Sequence, residues 1–223
     1  MTRADKKLRK KRLVTIAGLI LMISAGIIML VAWQKQNKES GSNSIDHLAL
    51  ARSASGNNNF AEAEKEYKTL LSTASDDSAL WREYGYVLQQ QRKREEAVSA
   101  YEKALSMNKD DATTQNFLGN LYRDLNQYDK AETAYKEAIS LNPNLLPAVI
   151  NLAHLYTLQG KTNDAIALLA SVYDGTKQRS EIGLQLSAAY LRNNNATEAR
   201  AALDKILNLD PENEKAKEMI KSL

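Results

Sequence analysis

An internal period of 34 residues runs through most of this chain of 223 residues. The same small residue recurs at that spacing without an insertion, at Ala63, Ala97, Ala131, Ala165 and Ala199. A large apolar residue follows four positions after each alanine, as Tyr67, Tyr101, Tyr135, Leu169 and Leu203. A fixed period of this length is typical of repeat proteins, in which each unit packs only on its neighbours. The period therefore predicts a stack of similar units with these large side chains in its core.

Each unit of the period contains two stretches of about 12–14 residues with apolar residues at the i, i+3, i+4 and i+7 positions of an amphipathic helix. The chain has only 9 glycines and 3 prolines, which also favours helix. Pro143 and Pro211 stand at unit boundaries, where proline suits the first turn of a helix. After the last unit, an apolar stripe at helical spacing consists of Ala216, Met219, Ile220 and Leu223. We therefore predict an all-α fold of five helix pairs with a capping helix at 214–223.

The repeated residues resemble the consensus of the tetratricopeptide repeat family, most closely in the third unit. That unit carries Leu118, Gly119, Tyr122, Tyr128, Ala131, Tyr135, Ala138 and Pro143. The second unit adds the tryptophan of the family, at Trp81. The resemblance covers residues 44–213 and implies a right-handed α-solenoid. Its five units would span 44–77, 78–111, 112–145, 146–179 and 180–213.

The segment 13–34 contains no charged residue and predicts a transmembrane signal-anchor helix. As a helix it would span roughly 33 Å, against about 30 Å for the hydrocarbon core of a bilayer. Seven Lys and Arg residues lie in the tail 1–12, whereas only two follow in the polar linker 35–43. This asymmetry predicts a cytoplasmic N-terminus and a body on the opposite side, which is periplasmic or extracellular if the protein is bacterial. A cleaved signal peptide remains an alternative, although the apolar run continues well past the small residues at 24–26.

Several classes of function lack the residues that they require. The chain has no cysteine and two histidines, and it carries no phosphate loop or metalloprotease motif, so we expect no enzyme, cofactor or metal site. No carboxylate is spaced to meet His47, which is assigned no role. Residues 41–223 hold 21 basic and 25 acidic residues, which argues against nucleic-acid binding. No small-molecule substrate is expected either, which leaves other proteins and the membrane as partners.

The resemblance also implies that the first helix of each unit lines a concave groove. The candidate groove residues are Arg82, Tyr86, Gln89, Asn116, Asn120, Arg123 and His154, with Asn151 at the border. Asn120 and Asn151 match two asparagines that some family members use against the backbone of an extended peptide. A carboxylate clamp is not expected, because Asn116, Glu181 and Gln185 stand where the family's chaperone-tail clamp needs basic residues.

These residues predict a membrane-tethered scaffold or adaptor that binds an extended protein segment. The positive charge of Arg82 and Arg123 favours an acidic or neutral segment, and loss of the solvated amides of Asn120 and Asn151 should leave melting unchanged. Two alternatives stay open: a permanent structural subunit of a membrane assembly, and an organelle-surface receptor with the same layout and a body facing the cytosol.

Overall fold

The computed structural model describes Met29 and residues 47–223, and all the regular structure in this part is helical. The helices are α1 (47–56), α2 (Phe60–Thr73), α3 (Ser78–Gln90), α4 (Arg94–Met107), α5 (Ala112–Asp124), α6 (Tyr128–Leu141), α7 (Leu146–Leu158), α8 (Thr162–Val172), α9 (Ser180–Arg192), α10 (Ala196–Leu209) and α11 (Glu214–Lys221), with a 3-10 turn at Lys177–Arg179. None of the helices within 47–223 is long and apolar enough to cross a bilayer. The predicted tail, membrane span and linker lie outside the described residues, apart from Met29.

The chain divides into two compact units, Met1–Leu70 and Leu71–Leu223. In the described part of the first unit, Ala51 and Ala63 are fully buried and Tyr67 nearly so. The ring of His47 hydrogen-bonds the nearly buried carboxylate of Glu66, and this contact lowers the pKa of Glu66. The prediction that His47 lacks a carboxylate partner was therefore wrong, because the two residues meet only through tertiary packing, 19 positions apart.

In the second unit the helices pack in consecutive pairs, α3 with α4, α5 with α6, α7 with α8 and α9 with α10. The second helix of each pair also packs on the first helix of the next pair, so the four pairs form one stack. An all-α solenoid of stacked helix pairs is therefore confirmed for Leu71–Leu223.

The packing within a pair depends on a small residue that faces a large one. A Cβ added at Gly119 would lie 2.6 Å from the ring of Tyr135, and one at Gly85 would lie 2.7 Å from the ring of Tyr101. Both rings are fully buried. The glycines are therefore needed because the tyrosine rings lie directly against the backbone of the partner helix.

The turns within the pairs repeat with the same period as the helices. One residue in each turn has a positive φ, between 55° and 76°: Asn58, Arg92, Asn126, Gly160 and Asn194. Glycine and asparagine tolerate this left-handed conformation best, whereas arginine adopts it at a cost. The 34-residue period of the sequence is therefore also a period of the backbone.

The last helix, α11, covers the end of the stack. Ala216 is fully buried in a cluster with Leu184, Leu203 and Ile206. Met219 and Ile220 pack against the same cluster. Leu223, which the sequence places on this stripe, lies beyond the end of α11 and is 38% exposed. The helix ends before Leu223 reaches the core.

Candidate functional site

The candidate groove residues lie on the first helices α3, α5 and α7, and all but Asn116 lie outside the buried sides of these helices. We call the surface formed by these eight residues the inner face: Arg82, Tyr86, Gln89, Asn116, Asn120, Arg123, Asn151 and His154. Tyr86 and His154 are exposed, five of the others are half-buried, and Asn116 is only 5% exposed. Asn116 is therefore much less accessible than its groove position suggests.

Two inner-face amides are held by tyrosines of the following helix. The Tyr101 hydroxyl donates to Oε1 of Gln89 at 3.1 Å, and the Tyr135 hydroxyl donates to Oδ1 of Asn120 at 2.7 Å. Burial raises the pKa of Tyr135 to about 12 and also raises the pKa of Tyr101, so both hydroxyls keep their protons at neutral pH. The core tyrosines therefore also fix the orientation of groove amides.

A third hydrogen bond joins two amides on neighbouring pairs. Nδ2 of Asn151, on α7, donates to Oδ1 of Asn116, on α5, at 2.9 Å. The sequence predicts that Asn120 and Asn151 act together, but the structure bonds Asn151 to Asn116 and Asn120 to Tyr135. Both asparagines therefore have intramolecular partners, and their removal should lower stability slightly, contrary to the expectation that melting stays unchanged.

The two arginines of the inner face are also paired. Arg82 donates to Asp111 at 2.7 Å, and Arg123 donates to Asp124 at 3.0 Å. The carboxylate of Asp111 is also the N-cap of α5, where it accepts from the amide of Thr114 at 3.0 Å. The positive charge expected along the groove is therefore balanced locally by carboxylates, which removes the electrostatic preference for an acidic segment.

The Asp111 pair predicts a dependence of stability on pH. Burial raises the pKa of Asp111, but the hydrogen bonds from Thr114 and Arg82 outweigh this effect, so the net pKa lies below its ordinary value of 3.8. A carboxyl whose pKa is lowered by folding stabilises the protein above its unfolded pKa and loses that effect as the pH falls below it. We expect Asp111→Asn to be less stable than the wild type at pH 7 and the difference to close below a pH of about 4. Denaturant titrations between pH 7 and a pH below about 4 measure the difference in the free energy of unfolding.

The matched control for this prediction is Asp110→Asn, which removes the same charge from the adjacent exposed position. The free energy of unfolding of Asp110→Asn should differ little from that of the wild type, and this difference should not close at low pH. Parallel pH profiles for the two variants would contradict the role given to the Arg82–Asp111 pair.

A second set of surface features shares no residue with the inner face. A cleft of about 420 Å³ between α5 and α6 is lined by Leu118, Tyr122 and Lys130, among others. One repeat further along, a cleft of about 320 Å³ is lined by the equivalent residues Leu152 and Tyr156. The sequence does not predict these clefts, although the 34-residue spacing of their leucines and tyrosines is the signal that could have indicated them. Each cleft could hold an apolar side chain of a partner.

Within 47–223, no group of three acidic, histidine or cysteine side chains is arranged to hold a metal ion. The side chain of His154 is exposed and makes no hydrogen bond or ion pair with the described residues. The inner face therefore presents fixed amides and paired charges, an arrangement suited to binding by hydrogen bonds.

A stack of helix pairs with a row of polar residues on its first helices defines a helical-repeat protein. The sequence profile of the tetratricopeptide repeat matches residues 76–144, and a second profile of the same repeat matches residues 127–172 and 156–223. The chain therefore belongs to the tetratricopeptide repeat family. None of the curated proteins matches it by sequence.

Solved structures share this fold at low sequence identity. MamA is 18% identical, with a TM-score of 0.65, over 78% of this chain and 96% of its own. YrrB, described as a tetratricopeptide repeat protein with an unusual peptide-binding site, is 22% identical, with a TM-score of 0.61, over 81% of this chain and 92% of its own. PilF of Pseudomonas aeruginosa is 16% identical, with a TM-score of 0.63, over 78% of this chain and 79% of its own. At these identities the likeness concerns the fold alone.

Proposed function

We propose that the protein is a membrane-tethered scaffold or adaptor that binds an extended segment of another protein on its inner face. The observation that carries this proposal is the fixed orientation of the inner-face amides. Because buried tyrosines hold Gln89 and Asn120, little side-chain entropy remains to be lost when a ligand binds them. Proteins of this family are generally non-enzymatic scaffolds, which agrees with a role in binding.

The test of this proposal is the double variant Asn120→Ala with Asn151→Ala. We expect it to weaken capture of the partner from membranes by at least about tenfold, because two hydrogen-bonding groups of the inner face are lost. Pull-downs with wild-type and variant protein, quantified by mass spectrometry, measure the effect. Each substitution also removes an internal hydrogen bond, so a modest fall in the melting temperature is expected.

Asn213→Ala is a control for this loss of stability. The side chain of Asn213 caps α11, where its oxygen accepts from the backbone amide of Ala216 at 3.1 Å, and it lies outside the inner face. Its removal should lower the melting temperature by a comparable amount and leave capture intact. If the double variant captured as much partner as the wild type, the binding surface would have to lie elsewhere on the protein.

The proposed tether rests on the apolar segment 13–34 and the seven basic residues before it. The test is a reporter that works only outside the cytoplasm, fused after Leu223. We expect this fusion to be active. Replacing the seven basic residues of the tail by glutamine should reduce this activity, because it removes the signal that orients the segment. A reporter active only in the cytoplasm would reverse the proposed orientation, and a mature chain that begins after Ala25 would replace the anchor by a cleaved leader.

A second candidate function is that of a permanent subunit in a membrane assembly. The two equivalent clefts at Tyr122 and Tyr156 favour it, because they offer a surface separate from the inner face. A permanent subunit should co-purify with its assembly in fixed stoichiometry through a large buried interface. An exchangeable binder of segments should instead release its partner on dilution.

A further inference from the structure

Three amides of the inner face have their oxygen atoms occupied by other side chains. Oε1 of Gln89 accepts from Tyr101, Oδ1 of Asn120 accepts from Tyr135, and Oδ1 of Asn116 accepts from Asn151. A free carboxamide offers both donors and acceptors, but these three have used an acceptor within the protein. The side-chain amide nitrogens of all three donate no hydrogen bond to any described residue, but Asn116 is only 5% exposed. Because the oxygens of Gln89 and Asn120 are directed at their tyrosine partners, these two residues present mainly their N–H donors to a ligand.

A surface of donors discriminates between kinds of polypeptide. An ordinary extended segment offers one N–H and one C=O per residue, and an N–H that faces another donor loses its bond to water without replacement, which costs about 1–3 kcal/mol. Proline has a carbonyl and no N–H. A proline-rich segment therefore satisfies such a surface without burying unmatched donors, and its polyproline II conformation is extended before binding.

The neighbouring side chains fit the same ligand. Tyr86 lies one helical turn before Gln89 on α3 and is 41% exposed, so its ring is available to a proline ring. Aromatic rings beside hydrogen-bond donors are a recurring way of recognising polyproline II segments. Arg82 and Arg123 are both paired with carboxylates, so an acidic ligand gains little on this surface.

We propose that the α3 and α5 part of the inner face binds a proline-rich segment in the polyproline II conformation. Its carbonyl oxygens accept hydrogen bonds from the side-chain amides of Gln89 and Asn120, and one of its rings packs on Tyr86. This inference rests on the proposed function and names the class of segment that the protein binds. Tyr101 and Tyr135 are positioning residues, because they hold the amide oxygens away from the ligand.

The test uses the full-length protein in detergent and three fluorescent peptides of equal length: a proline-rich one, an alanine–serine one and a glutamate-rich one. We expect the proline-rich peptide to bind at least about tenfold more tightly than either of the others by fluorescence anisotropy. Equal affinities, or tighter binding of the glutamate-rich peptide, would overturn the inference.

The variant Asn120→Asp tests the direction of the hydrogen bond. The new carboxylate can still accept from Tyr135, but it replaces the amide donor by an acceptor. We expect at least about tenfold weaker binding of the proline-rich peptide and little change in melting temperature. The matched control is Asn108→Asp, which adds the same charge at an exposed site after α4 and should leave binding unchanged.

The outcomes separate this inference from the proposed function. If Asn120→Asp left binding of the proline-rich peptide unchanged, the donor surface would not select the ligand. If no peptide bound while Asn120→Ala with Asn151→Ala still lost its membrane partner, the inference would fail and the proposed function would stand. If the double variant kept its partner as well, both would fail.

Discussion

Replacing Tyr135 by alanine is expected to lower the free energy of unfolding by about 3–5 kcal/mol, the range for truncation of large core aromatics. Tyr135 is fully buried, its ring lies against the backbone at Gly119, and its hydroxyl bonds Asn120. Alanine would leave a cavity between α5 and α6 and would free the amide of Asn120. A loss of this size is a large part of the total stability of a domain, about 5–15 kcal/mol. Urea denaturation followed by circular dichroism measures it.

Tyr135→Phe is the matched control for this variant. It keeps the ring and removes only the hydroxyl, so we expect a cost of about 0.5–1.5 kcal/mol. If the two variants were equally stable, the ring would contribute nothing to the contact between α5 and α6, and the packing described for each helix pair would be wrong.

Replacing Ala131 by leucine is expected to cost about 1–3 kcal/mol, because extra methylene groups enter a closely packed contact. Ala131 is fully buried on α6, the helix that packs on α5. The larger side chain can be accommodated only if the two helices separate or adopt strained rotamers. Thermal melts of the variant and the wild type measure the effect.

Lys136→Ala is the comparison on the exposed side of the same helix. The side chain of Lys136 is 58% exposed and pairs with Glu132, so its loss should change stability by no more than about 0.5 kcal/mol. Equal shifts in melting temperature for Ala131→Leu and Lys136→Ala would mean that the assigned helical register is incorrect.

Much of the fold could be predicted because its determinants are local and repeat. The spacing of apolar residues within each helix, the alanines 34 residues apart and the turn residues between paired helices are all visible along the chain. Asn126 and Asn194 sit where the backbone turns with positive φ, and the tyrosines at 101 and 135 are in the core as expected. Each of these features depends on a side chain and its near neighbours in sequence.

The candidate site could be predicted only in part. The repeat register places the eight residues of the inner face on three first helices, but it does not reveal how they are bonded. Arg82 with Asp111, and Asn151 with Asn116, lie 29 and 35 positions apart. Whether such residues meet depends on the distance and angle between helices, which no local pattern encodes.

The sequence by itself determined that this is a stack of helix pairs, which helix of each pair carries polar residues, and where an apolar segment precedes the stack. The tertiary structure alone decided that Asp111 neutralises Arg82, that His47 meets Glu66, and that the Tyr101 and Tyr135 hydroxyls use the oxygen atoms of groove amides. The physical reason is a difference in range. Helix formation and amphipathicity follow from residues within one or two turns, whereas hydrogen-bond partners are selected only when neighbouring helices bring distant side chains within about 3 Å of one another.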